Sequence, residues 1–140
     1  MSEAVSIRPA SAGDLDAIAR IQEACPEAVA WEARDYLDFD CLVAECHGTV
    51  AGFVVARRLA DDEGEVLNLS VAPAFRRRGI GRRLMAEVIG RYDGTLWLEA
   101  RETNAGARKF YETLGFREAG RRPEYYGDSN EGAIVMNFHS

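Results

Sequence analysis

The stretch that most constrains the fold is residues 64–88, where an alternating strand runs into a glycine-bearing turn and then into a helix. GEVLNLSV predicts a strand because its residues alternate between two faces, and Pro73 closes it. The faces are Leu67, Leu69 and Val71 on one side and Val66, Asn68 and Ser70 on the other. From Gly79 onward the apolar residues fall at helical spacing, so the turn lies at a helix N-terminus.

This turn carries the arginine cluster RRRGIGRR, residues 76–83. A helix N-terminus offers backbone N–H groups without helical partners, and glycines without a Cβ let an anion approach them, so the stretch predicts an anion site. The spacing differs from the glycine motifs that bind nucleoside triphosphates and dinucleotides. A solvated helix start and a nucleic-acid contact stay open as alternatives, although the formal net charge of -6 and the lack of interleaved aromatic residues disfavour the second.

The size and composition of the chain predict one globular domain spanning residues 1–140. No apolar stretch approaches the roughly 20 residues of a membrane span and no signal-peptide layout is present, so we expect a cytoplasmic protein. Cys25, Cys41 and Cys46 are predicted to be buried, reduced thiols. No metal site is expected, because Cys41 and Cys46 would point to opposite faces of a strand.

The order of predicted elements is β, α, α, β, β, β, α, β, α, β, β, which indicates an α+β sheet with helices on its faces. The first helix is capped by Ser11, and a hairpin turn is predicted at His47 and Gly48. The remaining elements are a helix over WEARDYLDF, a strand over TLWLEA, a helix over TNAGARKFYETLGF capped by Thr103 or Asn104 and stopped by Gly115, and strands over FREAG and AIVMNFH.

Two segments resemble a known family. NLSVAPAFRRRGIGRRLM resembles the acetyl-CoA signature of the GCN5-related N-acetyltransferases (GNAT), whose motif [Q/R]-x-x-G-x-[G/A] is matched by Arg76, Gly79 and Gly81. TLWLEARETNAGARKFYETLGF resembles the second half of that signature, and with PEYYGDSNEGAIVM it is most similar to the bacterial ribosomal-protein N-terminal-alanine acetyltransferases (RimI type). The resemblance covers about residues 5–138 and implies the GNAT fold: a mixed, mostly antiparallel, twisted sheet of six or seven strands with about four helices, splayed between strands 4 and 5.

The resemblance also implies a cofactor site for acetyl-CoA, with no metal. In this family pattern the strand end binds the pantetheine arm through its backbone, and the N–H groups of residues 77–82 hold the pyrophosphate. The implied cofactor-binding residues are Leu69, Ser70, Val71, Arg76, Arg77, Arg78, Gly79, Ile80, Gly81, Arg82, Asn104 and Tyr111. On the acceptor side the implied residues are Trp31, Asn68, Tyr125 and Tyr126.

The same resemblance assigns Glu99 as general base and Tyr111 as the group that serves the leaving thiolate. An α-amine, with a pKa of about 7.7 to 8.0, needs only modest help to lose its proton, so a carboxylate suffices. Glu99 lies between Trp97 and Arg101 on one strand face, where apolar neighbours would raise its pKa and Arg101, if close, would lower it; the sequence leaves open which effect prevails. Spacing alone leaves plainer interpretations open: a strand-end carboxylate paired with an arginine, and a tyrosine in the apolar stripe of a helix.

The predicted function is transfer of the acetyl group of acetyl-CoA to a primary amine, with the N-terminal α-amine of a ribosomal or other protein, of the alanine type, as the expected acceptor. Neither nucleic acid nor membrane is an expected partner. The alternatives are acetylation of a small amine and a non-catalytic module that binds acetyl-CoA or RNA. Glu124, Gly127 and Gly132 depart from the RimI-type pattern, which leaves the peptide preference open.

Overall fold

The computed structural model describes residues 4–25, 32–126 and 131–139, with the backbone alone for residues 123–126 and 131. The strands are β1 (Val5–Pro9), β2 (Asp40–Cys46), β3 (Thr49–Ala60), β4 (Glu63–Val71), β5 (Thr95–Arg101), β6 (Arg117–Tyr126) and β7 (Glu131–His139). The α-helices are α1 (Leu15–Glu23), α2 (Ile80–Arg91) and α3 (Ala105–Thr113), and short 3-10 helices span Ala12–Asp14, Ala33–Asp38 and Pro73–Phe75. In the described parts of the chain, no helix has both the length and the apolar character needed to cross a membrane.

One seven-stranded sheet has the order β1-β2-β3-β4-β5-β7-β6. The pairs β1/β2, β2/β3, β5/β7 and β6/β7 are antiparallel. β4 and β5 are parallel, with Glu63, Gly64 and Glu65 opposite Thr95, Leu96 and Trp97. The predicted mixed α+β sheet is therefore confirmed.

The chain divides into two compact units, one formed by Met1–Arg57 with Leu67–Arg91 and the other by Arg58–Val66 with Tyr92–Ser140. In the first unit α1 buries Ile18 and Ile21 against Phe53 of β3. Buried residues of α2 are Ile80, Leu84, Met85 and Val88, which repeat at helical spacing as predicted.

The N-terminal cap predicted at Ser11 forms around a 3-10 turn that leads into α1. The Ser11 backbone N–H donates to the Asp14 carboxylate at 2.8 Å, and Arg8 donates to both oxygens of that carboxylate at 2.8 and 2.9 Å. The Arg8 guanidinium accordingly lowers the pKa of Asp14 to about 2. This ion pair holds the start of α1 against β1.

The sequence prediction is confirmed for the hairpin turn after β2 and is wrong for the type of helix before it. The hairpin turn is confirmed: His47 has φ 51° and Gly48 φ 79°, the two positive values that a two-residue turn with the favoured twist requires. The helix predicted over WEARDYLDF is wrong in type, because residues 33–38 form a 3-10 helix. The Phe39 N–H bonds back to the Tyr36 carbonyl at 3.1 Å and β2 begins at Asp40, so the chain has no room for α-helical turns.

In the second unit β5 is paired along its whole length with β7, from Thr95 opposite His139 to Arg101 opposite Ala133. Buried and half-buried residues alternate along β5, so that Leu96, Leu98 and Ala100 face the core. The strand is entered through Gly94, whose φ is 90°, and the Thr95 N–H donates to the Asp62 carbonyl at 2.9 Å.

Gly94→Ala should destabilise the fold more than Gly48→Ala, although both glycines have a positive φ. A Cβ on Gly94 would lie 2.2 Å from the Asp62 carbonyl oxygen, whereas a Cβ on Gly48 meets nothing within 4 Å. Left-handed backbone costs an L-residue roughly 1 to 2 kcal/mol, and the clash adds to this only at Gly94. Urea unfolding should therefore show a loss of about 3 kcal/mol or more for Gly94→Ala against about 1 kcal/mol for the control. Equal losses would mean that the approach of Asp62 does not constrain this turn.

Candidate active site

The strand-to-helix turn after β4 has the geometry of an anion site. Arg77 and Gly79 both have positive φ, 65° and 77°, a conformation that turns successive backbone N–H groups toward one side. The Arg83 N–H donates to the Gly79 carbonyl at 3.1 Å, which makes Gly79 the residue that caps α2. The N–H groups of residues 80–82 precede this first helical bond, so helix geometry provides them with no intrahelical acceptor. The positive end of the helix dipole adds to their attraction for an anion.

The arginines of this turn have different partners. The Arg76 Nε donates to the Val71 carbonyl and its Nη2 to the Cys25 Sγ, both at 3.3 Å, so its guanidinium binds the end of β4. The Arg78 guanidinium stacks over the Phe75 ring at 5.3 Å. Cys25 is buried and forms no disulfide, as predicted, and the same holds for the other two cysteines. Arg76 thus links the start of this turn to the end of β4 and to Cys25.

On β4, the face that carries the polar residues is the more buried of the two. Val66, Asn68 and Ser70 are buried, whereas the face that carries Leu69 and Val71 is half-buried. A strand whose polar residues are buried needs partners for them. Sequence alternation revealed the two faces without showing which of them is turned inward.

The partners of Asn68 come from two other elements of the first unit. Its amide donates to the Tyr36 hydroxyl at 3.0 Å and to the Gln22 Oε1 at 3.2 Å, and the Tyr36 hydroxyl also donates to Gln22. The Ser70 hydroxyl donates to the Asn68 Oδ1 at 3.4 Å. Asn68, predicted as an acceptor-side residue, is therefore 7% exposed and held by the protein itself. Sequence reasoning missed Gln22 and Tyr36, which are distant from Asn68 along the chain.

Glu99 lies on the half-buried face of β5, and 19% of its side chain is exposed. Its Oε1 accepts from the Arg122 Nη1 at 3.2 Å. The pKa of Glu99 is raised, chiefly because burial removes water from the carboxylate; Arg122 opposes this change and the negative charge of Glu65 adds to it. The cation that lowers the pKa of Glu99 is therefore Arg122 of β6 and not Arg101, which the sequence offered as a candidate for this effect.

Tyr111 lies in α3 within a chain of aromatic rings. Its ring centroid is 5.8 Å from that of Phe116, which is 5.5 Å from that of Phe138. Burial raises the pKa of Tyr111 to about 12, so the phenol keeps its proton at neutral pH. A group in this state can donate a hydrogen bond or a proton to a developing thiolate.

Glu99 and Tyr111 are associated with opposite faces of the sheet in the second unit. Phe138, at the end of the aromatic chain, is opposite Leu96 on β5, and paired residues share a face. Leu96 and Glu99 are an odd number of residues apart, so their side chains point to opposite faces. The aromatic chain that includes Tyr111 therefore reaches the sheet on the face opposite to Glu99.

Asn104 has a structural role besides its predicted one. It is the N-cap of α3, and its Oδ1 accepts from the Ala107 N–H at 3.1 Å. The cap leaves the amide nitrogen as the part of this side chain that can serve a ligand. Of the predicted acceptor-side residues, Trp31 lies outside the described residues, as do the side chains of Tyr125 and Tyr126.

Arg122 and Glu65 are the residues around Glu99 that sequence reasoning missed. Neither belongs to the quoted cofactor signature, and only the alternation of strand faces could have placed them on the same side of the sheet as Glu99. For a metal ion, the described residues offer no group of three or more His, Cys, Asp or Glu side chains.

Comparisons with known proteins identify the family of this chain. The profile of the Acetyltransferase (GNAT) family matches residues 14–116. This chain belongs to the GNAT family. The ribosomal protein bS18-alanine N-acetyltransferase of Escherichia coli K12 is 40% identical to it over 111 residues, which cover 75% of this chain and 72% of the relative. The resemblance inferred from the motifs, and with it the class of acetyltransferase, is confirmed.

Solved structures show that the family fold extends over nearly the whole of this chain. The crystal structure of the ribosomal-protein-S18-alanine N-acetyltransferase from Escherichia coli has a TM-score of 0.83 at 30% identity, covering 96% of this chain and 93% of that one. A GNAT family acetyltransferase from Elizabethkingia anophelis, with acetyl-CoA bound, has a TM-score of 0.79 at 23% identity, covering 97% and 98%. The second likeness bears on the fold alone.

Gly81→Val should weaken acetyl-CoA binding at least tenfold, about 1.4 kcal/mol, and Gly90→Val should not. Gly81 is the second residue of α2, where a β-branched side chain would crowd an anion at the first N–H groups. Gly90 undergoes the same change near the other end of that helix, with open space around its Cβ. Isothermal titration calorimetry measures both, and thermal unfolding corrects for any shared loss of helix stability. Equal affinities of the two variants for acetyl-CoA would show that the turn is not part of the cofactor site.

Proposed function

We propose that this protein acetylates the N-terminal α-amine of a protein, of the alanine type, with acetyl-CoA as acetyl donor and a ribosomal protein as the favoured acceptor. The observation that carries the proposal is Glu99: a half-buried carboxylate with one oxygen bound to Arg122 and a raised pKa, on the strand that the acetyltransferase signature identifies. The acceptor class is supported by the 40% identity to a ribosomal protein bS18-alanine N-acetyltransferase.

For the cofactor, we assign the pyrophosphate of acetyl-CoA to the N–H groups at the start of α2. The positive φ values of Arg77 and Gly79 and the capping position of Gly79 support this assignment. The pantetheine arm is assigned to the backbone of residues 69–71, on the half-buried face of β4. The complete proposed cofactor set is Leu69, Ser70, Val71, Arg76, Arg77, Arg78, Gly79, Ile80, Gly81, Arg82, Asn104 and Tyr111.

The proposed reaction is direct attack. The amine nitrogen forms a bond to the thioester carbonyl carbon, the carbonyl electrons move to oxygen, and Glu99 accepts the proton that the nitrogen releases. The tetrahedral intermediate then collapses, the carbon–sulfur bond breaks, and the Tyr111 phenol donates a hydrogen bond or a proton to the departing thiolate. Glu99 is assigned to the incoming nitrogen and Tyr111 to the leaving sulfur.

The raised pKa of Glu99 suits it to its task. A base removes a proton more effectively as its pKa approaches that of the acid, and the α-ammonium group titrates at about 7.7 to 8.0. Burial moves the pKa of the carboxyl group toward that value, and Arg122 opposes this change. Trp31, Asn68, Tyr125 and Tyr126 stay assigned to the acceptor side, where aromatic rings could frame a peptide N-terminus. A ribosomal acceptor would place the reaction in the cytoplasm.

Glu99→Gln and Tyr111→Phe should affect the pH profile differently. The glutamine variant should lose roughly 100-fold in turnover at neutral pH and recover part of it at high pH, where the amine is already deprotonated. The phenylalanine variant lacks only the hydroxyl, so its turnover should fall without such recovery. Thiol release from acetyl-CoA, measured between pH 6 and pH 10, would contradict the assignment if the wild type and both variants gave parallel profiles.

Peptides that begin with alanine should be acetylated on their α-amine, and internal lysines should be left unmodified. The lysine ammonium, with a pKa of about 10.4, requires a far larger deprotonation than an α-amine. A panel of alanine-first peptides, N-terminally blocked lysine peptides and small amines, read by mass spectrometry, measures the preference. Acetyl groups found only on lysine side chains or only on small amines would contradict the proposed acceptor.

A further inference from the structure

The face of β5 that carries Glu99 also carries most of the charge in this part of the sheet. Pairing places Arg101, Ala133 and Arg122 in one row across β5, β7 and β6, and Glu99, Val135 and Gly120 in the next row. Since paired residues share a face, all six lie on the same side of the sheet. Glu99 and Arg122 are therefore in neighbouring rows on strands separated by β7.

The Arg122 side chain spans β7 diagonally. Its Nη1 lies 3.2 Å from the Glu99 Oε1 although the strand between them separates their backbones. Ala133, its direct neighbour on β7, has one of the smallest side chains, and Gly120 adds none to the next row. The guanidinium therefore has an unobstructed path to the carboxylate.

Glu65 reaches this face from the other direction. It is opposite Trp97 on β5, and Trp97 and Glu99 are two residues apart on one face. Glu65 and Arg122 thus flank Glu99 from the strands on its two sides, with opposite charges. The neighbouring carboxylate, Glu63, accepts from the Trp97 Nε1 at 2.7 Å.

On β4 to β6, the other charged groups that the structure describes on this face are Glu63, Arg101 and Arg117. β7 contributes Ala133, Val135 and Asn137, which do not titrate, and the titratable His139, which is opposite Thr95 and two rows from Glu99. Arg122 on β6, beyond β7, and Glu65 on the neighbouring strand β4 are the two charged groups that act on the pKa of Glu99, from opposite sides and with opposite sign.

We propose that Arg122 and Glu65 are positioning residues that set, in opposite senses, the pH at which Glu99 becomes a competent base. The proposal rests on the proposed function. Arg122 holds Oε1, favours the ionised form of the carboxylate and leaves Oε2 for the amine proton. Glu65 stabilises the protonated carboxyl group that exists after proton transfer, because a neighbouring negative charge disfavours the ionised form.

The test measures kcat/KM against pH for Arg122→Gln and Glu65→Gln, with Arg121→Gln as the matched control. Loss of Arg122 raises the pKa of Glu99, so the acid limb should move to higher pH by about 0.5 to 1 unit. Loss of Glu65 lowers that pKa, so the acid limb should move to lower pH. Arg121 lies next to Arg122 on β6 but on the other face, where it pairs with Glu118 at 2.8 Å, and its removal should leave the limb in place.

Arg122→Lys provides the conservative variant. It restores a positive charge without the planar guanidinium, so the acid limb should return toward that of the wild type while kcat stays reduced. A purely structural role for Arg122 would lower kcat or stability without moving the limb. Acid limbs that coincide in the wild type, Arg122→Gln and Glu65→Gln would overturn the proposal.

A second measurement separates failure of this proposal from failure of the proposed function. The full-length protein, labelled with ¹³C at glutamate side chains, is titrated by NMR without substrates, and Glu99→Gln assigns the Glu99 signal. Opposite shifts of the Glu99 midpoint in the Arg122→Gln and Glu65→Gln variants would support the electrostatic arrangement even if no peptide were acetylated. An unchanged midpoint in both would refute it even in a fully active enzyme.

Discussion

The pairing of β5 with β7 is the constraint on which the candidate active site depends. Side chains alternate along β5, so this register places Leu96, Leu98 and Ala100 in the core and leaves Glu99 half-buried on the other face. A slip of one residue would exchange the two faces, burying the carboxylate among apolar side chains. The free energy gained by burying the leucines therefore also fixes the position of the proposed base.

The same pairing determines the electrostatics of Glu99. A half-buried carboxylate loses hydration, which raises its pKa, and Arg122 compensates from a strand that is not its neighbour. Because Arg122 is itself largely exposed, solvent screens the pair, and the carboxylate keeps a raised pKa instead of becoming a strong ion pair. A base that must first accept and then release a proton benefits from this intermediate state.

In the first unit, buried polar groups play the comparable role. Asn68 on β4, Gln22 on α1 and Tyr36 bond to one another, so that three elements are joined at the buried face of β4. Arg76 and Cys25 join the end of β4 to the turn that precedes α2. Each of these buried polar groups needs its hydrogen-bond partner in place. The bonds therefore fix the positions of the strand end and the turn more narrowly than apolar packing alone would.

The sequence by itself determined the order of the elements, the His47–Gly48 hairpin, the glycine turn before α2 and the capped helix after β5. These features rest on local rules: alternation, helical spacing, caps and positive φ at glycine. The resemblance of two segments to a family signature added the acetyl-CoA site and the candidate base.

Only the tertiary structure decided which face of β4 is buried, that residues 33–38 form a 3-10 helix, and that Arg122 instead of Arg101 is the cation acting on Glu99. The buried face of β4 and the partner of Glu99 depend on contacts between residues far apart in the chain, and the 3-10 helix is limited by the start of β2. Arg101 is the nearer cation in sequence, but β7 lies between β5 and β6 and offers small side chains over which Arg122 can reach. Local patterns carry no information about which strand becomes the second neighbour of another, because that order is set by how the whole sheet buries its apolar surface.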